Sequence, residues 1–113
     1  MAGKDDALSR SAIDEALAGL PDWRHRQGSL VTVYKCPTSA AALELIAAVG
    51  RIAEEQNHHP DVDWRSNRVF IRYTSHDAGS EVTRRDVRAA AEASAAASAV
   101  GATAEAGERG FRS

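Results

Sequence analysis

The chain has 113 residues, one cysteine (Cys36) and a formal net charge of −2. That length suits one domain. A lone thiol excludes an internal disulfide or a cysteine metal knuckle, and the near-neutral balance supplies no basic field for nucleic acid. No apolar run approaches the roughly 18 residues of a membrane span. The start, Met1 to Asp6, is polar and acidic with no apolar signal region after it, so the chain reads as a soluble cytoplasmic protein. Two each of Trp, Tyr and Phe among many alanines predict a core of small aliphatic side chains.

Residues 1–7 read as a disordered lead. Ser9 or Ser11 can cap a first helix, with Ser11 and Asp14 spaced as a capping box, and Ile13, Ala16, Leu17 and Leu20 form one apolar stripe that Pro21 ends. Trp23 to Arg26 and Ser29 to Cys36 read as strands joined by a tight turn at Gln27-Gly28, with His25 solvated on the first of them. Thr38 or Ser39 opens the longest helix, whose residues Ala42, Leu45, Ile46, Val49, Ile52 and Ala53 keep helical spacing until Asn57 and Pro60 stop it. A second hairpin follows, Trp64 to Ser66 and Val69 to Ser75, turning at Asn67-Arg68. Thr83 and Asp86 then match a capping box for an alanine-dominated helix, favoured by propensity but expected to pack weakly. Residues 98–113 lack periodicity and read as a disordered Ala/Gly-rich tail. The predicted fold is α+β in the order α-β-β-α-β-β-α, a four-stranded antiparallel sheet with helices packed on one face, over residues 8–97.

Three of the four histidines, His58, His59 and His76, fall where the long helix breaks and where the second hairpin ends. Histidine titrates near neutrality, so a cluster suggests proton transfer. A structural reading would have them bond to carbonyls at a helix end, with one ring stacked on Trp64. A metal reading needs ligands that converge, whereas adjacent histidines diverge; Glu54, four residues before His58, leaves a Glu/His/His set open. A proton-relay site for a small polar ring is the third reading. No phosphate-binding glycine loop, nucleophile elbow or CxxC pair points to other chemistry.

Glu54-x-x-x-His58-His59-Pro60, with Asn67 seven and His76 sixteen residues after Pro60 and Asp86 beyond, resembles the pterin-4a-carbinolamine dehydratase family. The likeness spans about Leu8 to Ala97 and includes Leu20-Pro21-Asp22-Trp23 and the strand from Val31 to Lys35. It implies dehydration of 4a-hydroxytetrahydropterin to quinonoid dihydropterin by histidine acid/base catalysis, with no metal or organic cofactor, in recycling of a tetrahydrobiopterin-type cofactor. Its catalytic residues would be His58, His59 and His76, with His59 and His76 flanking the 4a carbon. Glu54, Asn57, Pro60, Thr74, Ser75 and Asp77 would join the histidines in binding substrate, while Trp64 and Asp86 would support the site from behind. Glu54 could fix a histidine tautomer, and Asp86 reads first as a helix cap. The family likeness further implies a homodimer or homotetramer, a link to an aromatic amino acid hydroxylase, and no nucleic-acid or membrane partner. The alternative on the same fold is non-catalytic pterin binding or a transcription-coactivator role. The sequence departs from the family pattern at Ser66, where many members carry an aromatic. Trp64, two residues earlier, is expected to share its face.

Overall fold

The computed structural model of the chain describes residues 6–105. Helix α1 (Arg10–Ala18) is capped by Ser9, rather than Ser11, whose hydroxyl accepts from the Ala12 amide at 3.1 Å. Strands β1 (Arg24–Arg26) and β2 (Ser29–Lys35) are joined by Gln27 and Gly28, both at positive φ (43° and 79°). Two such residues match the right-handed twist of the strands they connect. Helix α2 (Ser39–Gln56) starts on the Thr38 hydroxyl and ends at Asn57, which takes the left-handed conformation (φ 50°, ψ 45°). Asparagine tolerates that region, and Pro60 then prevents the helix from resuming.

Strands β3 (Asp61–Arg65) and β4 (Arg68–Tyr73) follow. Their turn is Ser66-Asn67, one residue earlier than the sequence suggested, with Ser66 at φ 57°. Ser66 therefore leaves the strand and does not share a face with Trp64. The Trp64 indole instead curls round and donates to the Ser66 carbonyl at 2.5 Å. A single 3-10 turn, His76–Ala78, precedes helix α3 (Arg84–Ala99).

The sheet is antiparallel in the order β1-β2-β4-β3. Strand alternation puts Leu30, Thr32 and Tyr34 of β2 opposite Tyr73, Ile71 and Val69 of β4 on one face. Five of these six, Leu30, Tyr34, Val69, Ile71 and Tyr73, enter one apolar cluster with Ile13 of α1, Ala42, Leu45 and Val49 of α2, and four alanines of α3. All three helices thus cover the same face, as predicted. The weak packing expected of α3 is overturned: Ala89, Ala90, Ala93 and Ala97 are buried. Small side chains let the helix backbone sit close to the sheet, so close approach replaces bulk.

The fold also runs past the predicted end at Ala97. The chain turns after α3 and adds a short strand, β5 (Thr103–Ala104), whose residues pair with Lys35 and Tyr34 of β2. At the other end, Leu8 donates its amide to the Val82 carbonyl at 2.8 Å. The remainder of the predicted lead and tail, residues 1–5 and 106–113, lies outside the described residues. His25 is half-buried rather than solvated, with Nε2 shut off from water. Among the described residues, no helix is long and apolar enough to cross a membrane.

Candidate active site

The histidines are delivered by the two chain reversals that the sequence marks most strongly. The left-handed turn at Asn57 sends His58 inward and leaves His59 outside: His58 is 8% exposed, whereas the His59 side chain keeps 58% of its surface. His76 opens the 3-10 turn beyond β4 and is exposed. Its loop is closed at the base by pairing between Ser75 and Glu81. The β1–β2 turn buttresses that loop. Thr74 donates to the Gly28 carbonyl at 2.6 Å, and a Cβ on Gly28 would run into the Ser80 carbonyl. Gly28 is therefore needed for its conformation and for its lack of a side chain.

Asp86 is the hub on the buried side. It has no exposed surface, and its Oδ1 lies 2.5 Å from Nε2 of His58. Its Oδ2 accepts from Ser75 Oγ at 2.8 Å and from the Thr83 amide at 2.9 Å, the second bond completing the α3 capping box. Two donors occupy Oδ2; an ionised carboxylate can only accept at Oδ1 as well, and that pairing calls for a proton on Nε2 of His58. One face of that imidazole stacks on Tyr73, with ring centroids 6.0 Å apart and planes at 18°. On the exposed side, His59 Nε2 meets Glu54 Oε2 at 2.7 Å. His76 Nδ1 lies 3.5 Å from Ser80 Oγ. Asp77 is gripped by both terminal nitrogens of Arg85 at 3.1 and 2.8 Å, and that hydrogen bonding holds its carboxyl below the usual carboxylate range.

The family model described as "Pterin 4 alpha carbinolamine dehydratase" matches residues 6–96. The chain belongs to the pterin-4a-carbinolamine dehydratase family. A relative from Chloroflexus aurantiacus, named "Putative pterin-4-alpha-carbinolamine dehydratase", is 39% identical over 84 residues, covering 74% of this chain and 89% of the relative. One of the same name from Mycolicibacterium smegmatis is 38% identical over 85 residues, covering 75% and 89%. A crystal structure titled as a transcriptional coactivator/pterin dehydratase from Brucella melitensis superposes with a TM-score of 0.77 at 27% identity. It covers 80% of this chain and 98% of that one. The dehydratase-family match takes in every histidine discussed above, along with Glu54, Asp86 and the loop between them.

The predicted site residues divide by surroundings. His58 and Ser75 converge on Asp86, and the 3-10 turn carries His76 on from Ser75. Thr74 and Ser75 are buried with both hydroxyls bonded inside the protein, and the Ser75 amide and carbonyl bond within the loop that carries His76. Asn57 is exposed and Pro60 half-buried at the turn. Trp64 is 45% exposed on β3 and stacks on none of the histidines; Tyr73 takes the stacking position that the sequence reading gave it. Among the described residues, no group of three or more His, Cys, Asp or Glu could hold a metal ion, so Glu54, His58 and His59 do not form a ligand set. A recess of about 280 Å³ between α1 and α3, lined by Leu8, Ala12, Glu15, Ala16, Arg84, Val87 and Arg88, contains none of the predicted residues.

Two contacts of His58 lay beyond sequence reasoning. Asp86 was expected behind the site and as a cap from its spacing to Thr83, but nothing in the spacing announces that its second oxygen meets His58. Tyr73 was placed on the correct strand, without any indication of the ring it meets.

Proposed function

We propose that the protein dehydrates the 4a-carbinolamine of a tetrahydropterin, releasing water and quinonoid dihydropterin. The observation that carries the reading is the His58–Asp86–Ser75 connection, in a chain of the pterin-4a-carbinolamine dehydratase family. It ties the helix end bearing His58 and His59 to the loop bearing His76.

The substrate must lose hydroxide from C4a and a proton from N5. One imidazolium gives its proton to the departing hydroxyl, which leaves as water, while a neutral imidazole takes the N5 proton, so charge and protons balance. His59 and His76 take these two roles, and their surface exposure supports the assignment. Glu54 fixes His59 with Nε2 protonated, since an exposed carboxylate accepts. His58, held from within by Asp86, orients the pterin. Asn57, Pro60 and the backbone of Thr74, Ser75 and Asp77 border the ring edge. The reaction runs on proton transfer alone, without metal or organic cofactor. In the same reading a pterin-dependent aromatic amino acid hydroxylase supplies the substrate and the protein works in the cytoplasm. It does so as a homodimer or homotetramer, which sedimentation equilibrium measures.

Stopped-flow absorbance after mixing with freshly generated carbinolamine tests the reading. The wild type should accelerate decay of the intermediate. His59→Ala and His76→Ala should each lose about a hundredfold in rate while keeping the wild-type circular dichroism. Unchanged turnover in both variants would remove them from these roles. The Brucella neighbour's title also names a coactivator, and a binding-only protein is the competing outcome. Such a protein would quench pterin fluorescence yet leave the decay at its uncatalysed rate.

A further inference from the structure

His58 has a neighbour that the proposed reaction does not use. Tyr73 is fully buried on β4, nearly parallel to the imidazole on one side and tilted against Trp23 at 5.7 Å. Its hydroxyl is buried and has no hydrogen-bond partner among the described residues. Burial pushes the phenol pKa up, and the charges of Glu92 and Asp86 push the same way. A buried hydroxyl that bonds to nothing costs stability. What this position offers the site is therefore the ring.

The geometry shows what the ring does. Asp86 reaches His58 through one nitrogen, and a single hydrogen bond only loosely limits how the ring turns about its Cβ–Cγ bond. An aromatic ring laid against the face removes that rotation, and a centroid distance of 6.0 Å falls within the range where offset ring pairs attract. The same ring keeps water from the buried bond, and hydrogen bonds strengthen where the local dielectric is low. The carboxylates nearest His58 are Asp86 from α3, bonded to its Nε2, and Asp77 from the 3-10 turn, within electrostatic reach.

We propose that Tyr73 is a positioning residue for His58: with Asp86 it fixes the imidazole plane and holds the tautomer protonated at Nε2. The kinetic consequence rests on the dehydratase reading, whereas the positioning is a property of the ligand-free protein.

Long-range nitrogen–proton NMR of the free protein separates the two. Wild-type His58 should show one protonated and one unprotonated ring nitrogen. In Tyr73→Leu the two nitrogen shifts should converge as tautomers mix. Tyr73→Phe should keep them apart, because it restores the ring without the hydroxyl. In the stopped-flow assay Tyr73→Leu should lower kcat by about tenfold or more, with little change in KM and a displaced pH profile. Unchanged His58 nitrogen shifts in a folded Tyr73→Leu protein would overturn the proposal. If that variant does not fold, the wild type decides: cross-relaxation between the Tyr73 and His58 ring protons supports the stack, and its absence overturns it. A wild type that shows the locked tautomer but does not accelerate carbinolamine loss would sink the dehydratase reading and leave the positioning intact.

Discussion

One carboxylate, Asp86, holds both the N-terminus of α3 and the His58 imidazole from a position with no exposed surface. Replacing it strands the Thr83 amide and the imidazole, and leaves the Ser75 hydroxyl with Thr83 Oγ1 alone. A lost cap costs about 1 kcal/mol, and a hydrogen bond to a charged group about 1.5–3 kcal/mol. Asp86→Ala should therefore destabilise the protein by roughly 3 kcal/mol, read as a lower urea midpoint with an unchanged slope. A loss below about 1 kcal/mol would mean that neighbouring groups find other partners. The residue scale is also where sequence reading reached its limit. Paired histidines, a proline and a third histidine at fixed distance were legible, because helix breaking and loop placement depend on local chemistry. The His58–Asp86 bond and the Tyr73 stack were not. They join residues 28 and 15 positions apart in the chain, and only the completed fold brings them together.

At the scale of elements, periodicity served well where it had bulky residues to work with. The alternation of Leu30, Thr32 and Tyr34 against Val31 and Val33 placed β2 correctly, and the α2 stripe fixed its buried face. It failed for α3, where alanine marks propensity without showing which face is buried, and for β5, where two paired residues are too few for a pattern. Residues 103–105, read from the sequence as part of a disordered tail, are instead paired to the sheet. Besides its ladder with β2, β5 is followed by Glu105, whose amide donates to the Val33 carbonyl at 2.7 Å and whose carboxylate meets Arg68 at 2.8 Å. Two truncations isolate this contribution: one ending at Glu105 and one ending at Ala102. The shorter protein should melt roughly 5 °C or more below the longer one, which corresponds to about 1 kcal/mol in a domain of this size. Equal melting temperatures would show that the sheet edge is indifferent to β5.

For the whole molecule, the core and the candidate site are continuous, and the tyrosines make that measurable. The chain has two, Tyr34 and Tyr73, and both are buried in the single apolar cluster. Burial raises the pKa of each, with nearby carboxylates adding to it, Asp22 for Tyr34 and Glu92 and Asp86 for Tyr73. Both phenols are neutral in folded and unfolded protein below their ordinary value of about 10. Above it the unfolded chain releases these protons while the folded one keeps them, so the unfolded state binds fewer protons and stability falls as pH rises. The slope approaches about 1.4 kcal/mol per pH unit for each tyrosine. Because no exposed tyrosine contributes, phenolate absorbance near 295 nm should stay flat past pH 10 and then rise together with the loss of helical circular dichroism. A phenolate transition completed with the helices intact would instead mean that the core opens locally, and Tyr73 would then be loose enough to release His58. Coincident transitions would tie the integrity of the imidazole's surroundings to the cooperative unit as a whole. On that account, variants that weaken β5 or Asp86 should lower the pH of both transitions together.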